Sequence, residues 1–183
     1  MPPKPTTRPK PNQKLTRDNT GLASSVQAAK KKLLLVDDDM QIRKSLHKVL
    51  CAEGYEVVLA ANGQEGIRQF CADRFDLLLL DVSLPDMSGW EVFGTITSIN
   101  PFLPIIVITG KDDQHDLAVL GGVGALIEKP LDVPPLLETV NELLAESPEV
   151  HLQRLAGLHR SVRLLQPAHP ELHKVMSSVA RNR

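Results

Sequence analysis

Cysteine is nearly absent from this chain: Cys51 and Cys71 are the only two in 183 residues. They are too few for a disulfide framework and too far apart for a C-x-x-C site. Both therefore read as small buried apolar residues, Cys71 falling four positions after Ile67 on a helical face. Long apolar runs are missing as well. None approaches the roughly 18 residues a membrane span needs, and no apolar segment follows the basic start as a secretory signal would require. The expected location is the cytoplasm. Aromatic residues amount to one Trp, one Tyr and four Phe, none of them near either end, so the tails lack the rings that base stacking uses.

What the chain does hold is charge, unevenly placed. The formal net charge of -1 is a cancellation. Residues 1–32 carry eight Lys or Arg against the single Asp18, a net of +7. Residues 147–183 carry six basic side chains against Glu149 and Glu171, a net of +4, which leaves -12 on residues 33–146. The 114-residue middle is long enough to bury a core, whereas neither flank reaches the roughly 40 residues below which a segment usually needs help to fold. Five of the first eleven residues are proline, mixed with Lys, Arg and Thr, and the apolar positions there show no period. Residues 1–31 are thus expected to be a disordered basic tail.

From residue 32 the pattern changes. Short apolar runs recur at 33–36, 55–60, 77–80, 105–108 and 125–127, and stretches with helical spacing lie between them. Strand alternating with helix predicts five βα units around a doubly wound parallel sheet, over residues 32–146. Punctuation agrees: Gly54 stands where a helix should end, Asn62 where the next should start, and Pro134 and Pro135 sit in the first turn of the last one. The fourth helix is weak, because Gly121, Gly122 and Gly124 crowd its end. Beyond Ser147 and Pro148, Leu155, Leu158, Val162 and Leu165 predict one amphipathic helix. A shorter stripe follows at Leu172, Val175, Met176 and Val179, so 147–183 reads as a short helical extension.

In an open parallel sheet, ligands sit at the carboxyl ends of the strands. The first strand ends in Asp37, Asp38 and Asp39, the third in Asp81, the fourth in Thr109, and the fifth, after Glu128, in Lys129 and Pro130. Carboxylates converging on one rim repel one another unless a cation lies between them. Oxygen ligands with room for water suit Mg²⁺, and a metal beside a carboxylate, a hydroxyl and a lysine is a phosphoryl-transfer arrangement. Each acid alone could simply cap the helix that follows it. Helix capping does not call for a threonine and a lysine at two other strand ends.

The stretches L-L-L-V-D-D-D, L-L-L-L-D-V-S-L-P-D-M-S-G, I-V-I-T-G and I-E-K-P resemble the signatures of the response-regulator receiver domain of two-component signalling, over about residues 32–146. The resemblance implies a flavodoxin-like (βα)5 fold with strand order 2-1-3-4-5. It makes Asp81 the phosphoacceptor and Asp38 a direct Mg²⁺ ligand, with Asp37 acting largely through water and the Ser83 backbone carbonyl adding a ligand. Thr109 becomes the switch hydroxyl, Lys129 the partner of the phosphoryl group, and Pro130 the site of a cis peptide. One position departs from the pattern: Leu126 stands where the family usually has Tyr or Phe, so a mobile segment around residues 121–124 would carry the switch instead.

The implied partners are a sensor histidine kinase or histidine phosphotransfer protein and a downstream protein, with a homodimer as a further option. Only 37 residues follow Glu146, too few for a winged-helix output, so a receiver without an effector domain is expected. Such a protein catalyses only its own phosphorylation and dephosphorylation and signals by contact through its fourth helix, fifth strand and fifth helix. Two other readings compete. The basic tails could make salt-sensitive contacts with nucleic acid, although without aromatic residues nucleic acid is not the expected partner. Asp37-x-Asp39 also resembles the nucleophile motif of haloacid-dehalogenase-like phosphatases, but Gln41 stands where that pattern wants Thr or Val. His169 and His173 share a helical spacing yet lack a third ligand, so no second metal is expected.

Overall fold

The computed structural model describes residues 29–110, 122–156 and 163–165. In chain order the elements are β1 (Lys32–Val36), α1 (Met40–Ala52), β2 (Glu56–Ala60), α2 (Gly63–Ala72), β3 (Leu77–Asp81), α3 (Gly89–Ile99), β4 (Ile105–Thr109), β5 (Ala125–Glu128), α4 (Val133–Ala145), α5 (Pro148–Leu155) and β6 (Arg163–Leu165). All strand pairs are parallel, in the order β2-β1-β3-β4-β5-β6. This is the expected doubly wound sheet with one further strand at its edge. The expected fourth helix, the N-terminal tail to residue 28, the second C-terminal stripe and His169 and His173 lie outside the described residues.

Why these runs form strands follows from their burial. A parallel sheet is covered on both faces, so its inner strands need apolar residues at every position. β3 and β4 are buried throughout. The strand period of two then sorts alternate residues onto opposite faces. Leu34, Val36, Leu78, Leu80 and Val107 meet Phe70 of α2 and Val92, Phe93 and Ile96 of α3. Leu33, Leu35, Leu77, Leu79, Ile106 and Ile108 meet Leu46 and Leu50 of α1 and Leu136, Val140 and Leu143 of α4. Each fully buried leucine contributes about 1.5–3 kcal/mol, so the two layers supply most of the driving force.

Side chains set the helix starts. Asp39 caps α1, its carboxylate accepting from the amides of Gln41 at 2.7 Å and Ile42 at 3.3 Å. Asn62 caps α2 through the Glu65 amide, and Ser88 and Glu91 form a reciprocal capping box on α3. Gly54 closes α1 at φ +92°, where a residue with a Cβ would be strained.

Two expectations need correction. The stripe from Leu155 to Leu165 is not one helix: α5 ends at Leu155, and Leu165 lies in β6, paired with Ile127. The open edge of β5 offers backbone groups for Arg163–Leu165 to pair with. α5 also docks by polar contacts. Arg154 donates to Glu146 at 2.8 Å and to His151 Nδ1 at 2.8 Å, and His151 Nε2 donates to the Pro101 carbonyl at 3.2 Å. The cysteines are the second correction, since both are exposed. Each follows the residue its helix buries, Leu50 in α1 and Phe70 in α2, and one step along a helix rotates a side chain by about 100° away from the core.

Candidate functional site

The parallel register brings the strand ends to one rim. Asp81 of β3 stands opposite Ile108, the residue before Thr109, and Thr109 stands opposite Glu128, the residue before Lys129. Asp37, one residue beyond β1, is 0% exposed; Asp81 is 2% exposed and Thr109 is buried, whereas Asp38 faces outward. Lys129 reaches back across the sheet: its Nζ donates to Asp81 Oδ2 at 2.6 Å and pairs with Asp37 Oδ2 at 3.0 Å. Its backbone amide donates to the Thr109 carbonyl at 2.7 Å, and its peptide bond to Pro130 is cis. Asp37, Asp38, Asp81, Thr109 and Lys129, picked from four strand ends, are gathered at one end of the sheet.

Burial sets the electrostatics. Desolvation raises the Asp37 carboxyl above its usual range, and the nearby Asp81 charge adds to this, although Lys129 and the Asp39 amide oppose it. Burial would lower the Lys129 ammonium, but its hydrogen bonds and charge attraction to Asp81 and Asp37 outweigh that and hold it raised. One lysine thus serves two buried acids.

Asp37, Asp38 and Asp81 each place a carboxylate oxygen within 4.8 Å of the others. Asp37 Oδ2 is buried and pairs with the Lys129 ammonium at 3.0 Å, a single contact that leaves a lone pair for a cation. The Ser83 backbone is held alongside, its amide donating to Asp81 Oδ1 at 3.1 Å. This donor set fits a hard divalent cation. Asp39, the third acid of the run, is occupied as the α1 cap.

Three supporting residues were not singled out by the strand-end argument. A Cβ on Gly89 would lie 2.3 Å from the Asp81 carbonyl and 2.5 Å from Val82 Cα, so only glycine lets α3 start directly against the acidic strand end. Arg43 of α1 donates to the Asp37 carbonyl at 2.5 Å. Asp86 accepts from the amides of Gly63 at 2.8 Å and Gln64 at 2.9 Å, tying the loop after β3 to the start of α2. The S-L-P-D-M-S-G spacing held the only sequence signal for Asp86 and Gly89.

Fold and site together define a doubly wound α/β domain with a lysine-bridged acidic pocket at the carboxyl ends of its strands. Residues 33–141 match the response regulator receiver domain model, and the chain belongs to that family. A receiver domain protein described as CheY-like, from Methanospirillum hungatei, superposes with a TM-score of 0.62 at 35% identity, covering 64% of this chain and 95% of that one. Response regulator TrrA from Thermotoga maritima, solved in complex with Mg(2+)-BeF, gives 0.58 at 34% identity over 62% and 98%. The transcriptional regulatory protein GlrR of Escherichia coli is 35% identical over 117 residues, 63% of this chain. The chain spans only 26% of that relative's length. A relative with such a name gives no support to the expectation that nucleic acid is not a partner. Among the described residues no helix is long and apolar enough to cross a membrane.

Proposed function

We propose that this protein is a phosphorelay receiver that takes a phosphoryl group from a phosphohistidine donor onto Asp81 and signals by protein contact. The observation that carries this reading is the Lys129 bridge between Asp81 and Asp37, which leaves one nearly buried nucleophile beside a fixed cation at the sheet's ligand-binding edge. The donor would be a sensor histidine kinase or a histidine phosphotransfer protein. An Asp81 carboxylate oxygen attacks phosphorus, the P–N bond breaks, and the imidazole leaves with the electron pair and takes up a proton. Lys129 then exchanges its hydrogen bond to Asp81 for one to a phosphoryl oxygen, and the Thr109 hydroxyl supplies a second donor. Asp37, Asp38, Asp81 and the Ser83 carbonyl would hold Mg²⁺, which neutralises charge on the transferring group. Arg43 and Gly89 position the acids. The chain's chemistry is then confined to its own phosphorylation and dephosphorylation.

Acetyl phosphate with Mg²⁺, read by intact mass, tests the assignment. One phosphoryl group should be added to the wild type and none to Asp81→Asn. Uptake that survives in Asp81→Asn would move the nucleophile to Asp37, as in the phosphatase alternative; against that alternative, Asp37 is fully buried and already holds the Asp39 amide at 2.8 Å. The names of the regulatory relatives favour a second, downstream reading in which the contact feeds transcription. If the basic tails themselves touch nucleic acid, a gel shift with the full chain should weaken steeply with salt.

A further inference from the structure

We propose that the outer edge of β5 is a strand-docking surface whose resident occupant is the chain's own segment Arg163–Leu165, held there as a displaceable cover. This rests on the reading above that the β5 face carries the output. The pairing is in register, Ala125 with Arg163, Leu126 with Leu164 and Ile127 with Leu165. Charge supports it, since Arg163 pairs with Glu142 of α4 beside the same edge. Hydropathy supports it too, because two leucines lie along the strand that leads into Lys129. Receptors that add a peptide strand to a sheet edge use this combination of backbone pairing and flanking side-chain contacts.

The cover is loosely seated. It is three residues long, and Leu164 remains 38% exposed. The Arg163–Glu142 pair is about half exposed, which makes it weak. Grooves of about 180 Å³ and 230 Å³ flank the strand, the first between Leu164, Leu165, Ile127 and Pro135, the second between Arg163, Glu142 and Arg154. β5 runs from this edge directly into Lys129, so the strand that β6 covers is the one that ends in the phosphosite. A partner offering an extended apolar segment with a basic residue ahead of it would compete with β6 for the edge.

Leu164→Pro in the full chain removes a backbone donor at an exposed position and leaves the core untouched. Hydrogen exchange at residues 125–128 should accelerate about tenfold in this variant. A labelled peptide of residues 160–168 should bind the variant at least about tenfold more tightly than the wild type, and a scrambled peptide should bind neither. Arg163→Glu, which cannot disturb the fold at an exposed site, should also accelerate exchange, and adding Glu142→Arg should reverse most of the effect. Unchanged exchange in both variants, or equal peptide binding by wild type and Leu164→Pro, overturns the proposal. Protection that rises with protein concentration also overturns it, by assigning the strand to a second copy. Acetyl phosphate labelling of the same variants reports separately on Asp81, so a failed phosphoacceptor and a failed cover give different results.

Discussion

Gly89 shows how a single residue can be required by its surroundings without announcing itself. Its φ is ordinary, and the constraint is contact: the atoms a Cβ would strike at 2.3 and 2.5 Å are backbone atoms of Asp81 and Val82, which cannot rotate aside. Gly89→Ala should therefore cost about 1–3 kcal/mol, the range for forced overpacking, and should also slow phosphate uptake because the displaced atoms belong to Asp81. Thermal melts and acetyl phosphate kinetics on one preparation check both. Asp86 permits a prediction with a definite pH sign. Its carboxyl is held below the usual range by the Gln64 and Gly63 amides, so its contribution is present above the unfolded value of about 3.9 and is lost as pH falls through the lower folded value. Asp86→Asn should melt earlier than wild type at pH 7, with the gap constant down to about pH 5 and closing below about pH 4. The strand-end acids were legible in the sequence because each follows an apolar run. The supporting residues were not, since what Gly89 and Asp86 face is decided only when β3 and α2 pack.

At the scale of elements, what was legible was what repeats. The apolar runs of β1, β3 and β4 need no tertiary information, because a strand buried on both faces is apolar at each position. The C-terminal extension failed this logic. Its leucine spacing suits a helix, yet β6 takes its conformation from the free edge of β5, a long-range influence that periodicity cannot contain. α5 is decided in the same way, by a polar cluster. Arg154, His151 and Glu146 are mostly buried together, with Glu146 Oε2 2.7 Å from the Arg154 guanidinium, and Arg154 Nε has no hydrogen-bond partner among the described residues. Removing one member of a buried ion pair can cost about 3–5 kcal/mol when the other must stay buried. Here it need not stay, because an eight-residue helix docked largely by these polar contacts can open locally and rehydrate Glu146. Arg154→Ala should thus leave the main melting transition within about 2 °C of wild type while hydrogen exchange over 148–155 accelerates by roughly tenfold or more.

For the whole molecule, the decisive quantity is where the negative charge lies. Residues 33–146 carry nineteen acids, and among the described residues the pocket gathers Asp37, Asp38 and Asp81 within 4.8 Å. Divalent cations could stabilise such a body in two ways, by screening it diffusely or by filling the pocket. The two differ in saturation. Screening follows ionic strength, so sodium chloride at matched ionic strength should reproduce it. Site binding follows RT ln(1 + [L]/Kd), about 2.7 kcal/mol at a hundred times Kd, which for a domain of this size is a rise in Tm of roughly 10 °C. Asp38→Asn separates them sharply. Asp38 is exposed and its side chain donates no support to the fold, so the variant should melt near wild type without metal. It removes one charge of nineteen, which barely alters screening, yet it removes a ligand from the cluster. Mg²⁺ should therefore raise the Tm of wild type along a saturable curve, and the same titration on Asp38→Asn should give less than half that rise. A proportional rise in both proteins, matched by sodium chloride, would assign the acidity of this body to diffuse attraction and leave the pocket without its metal.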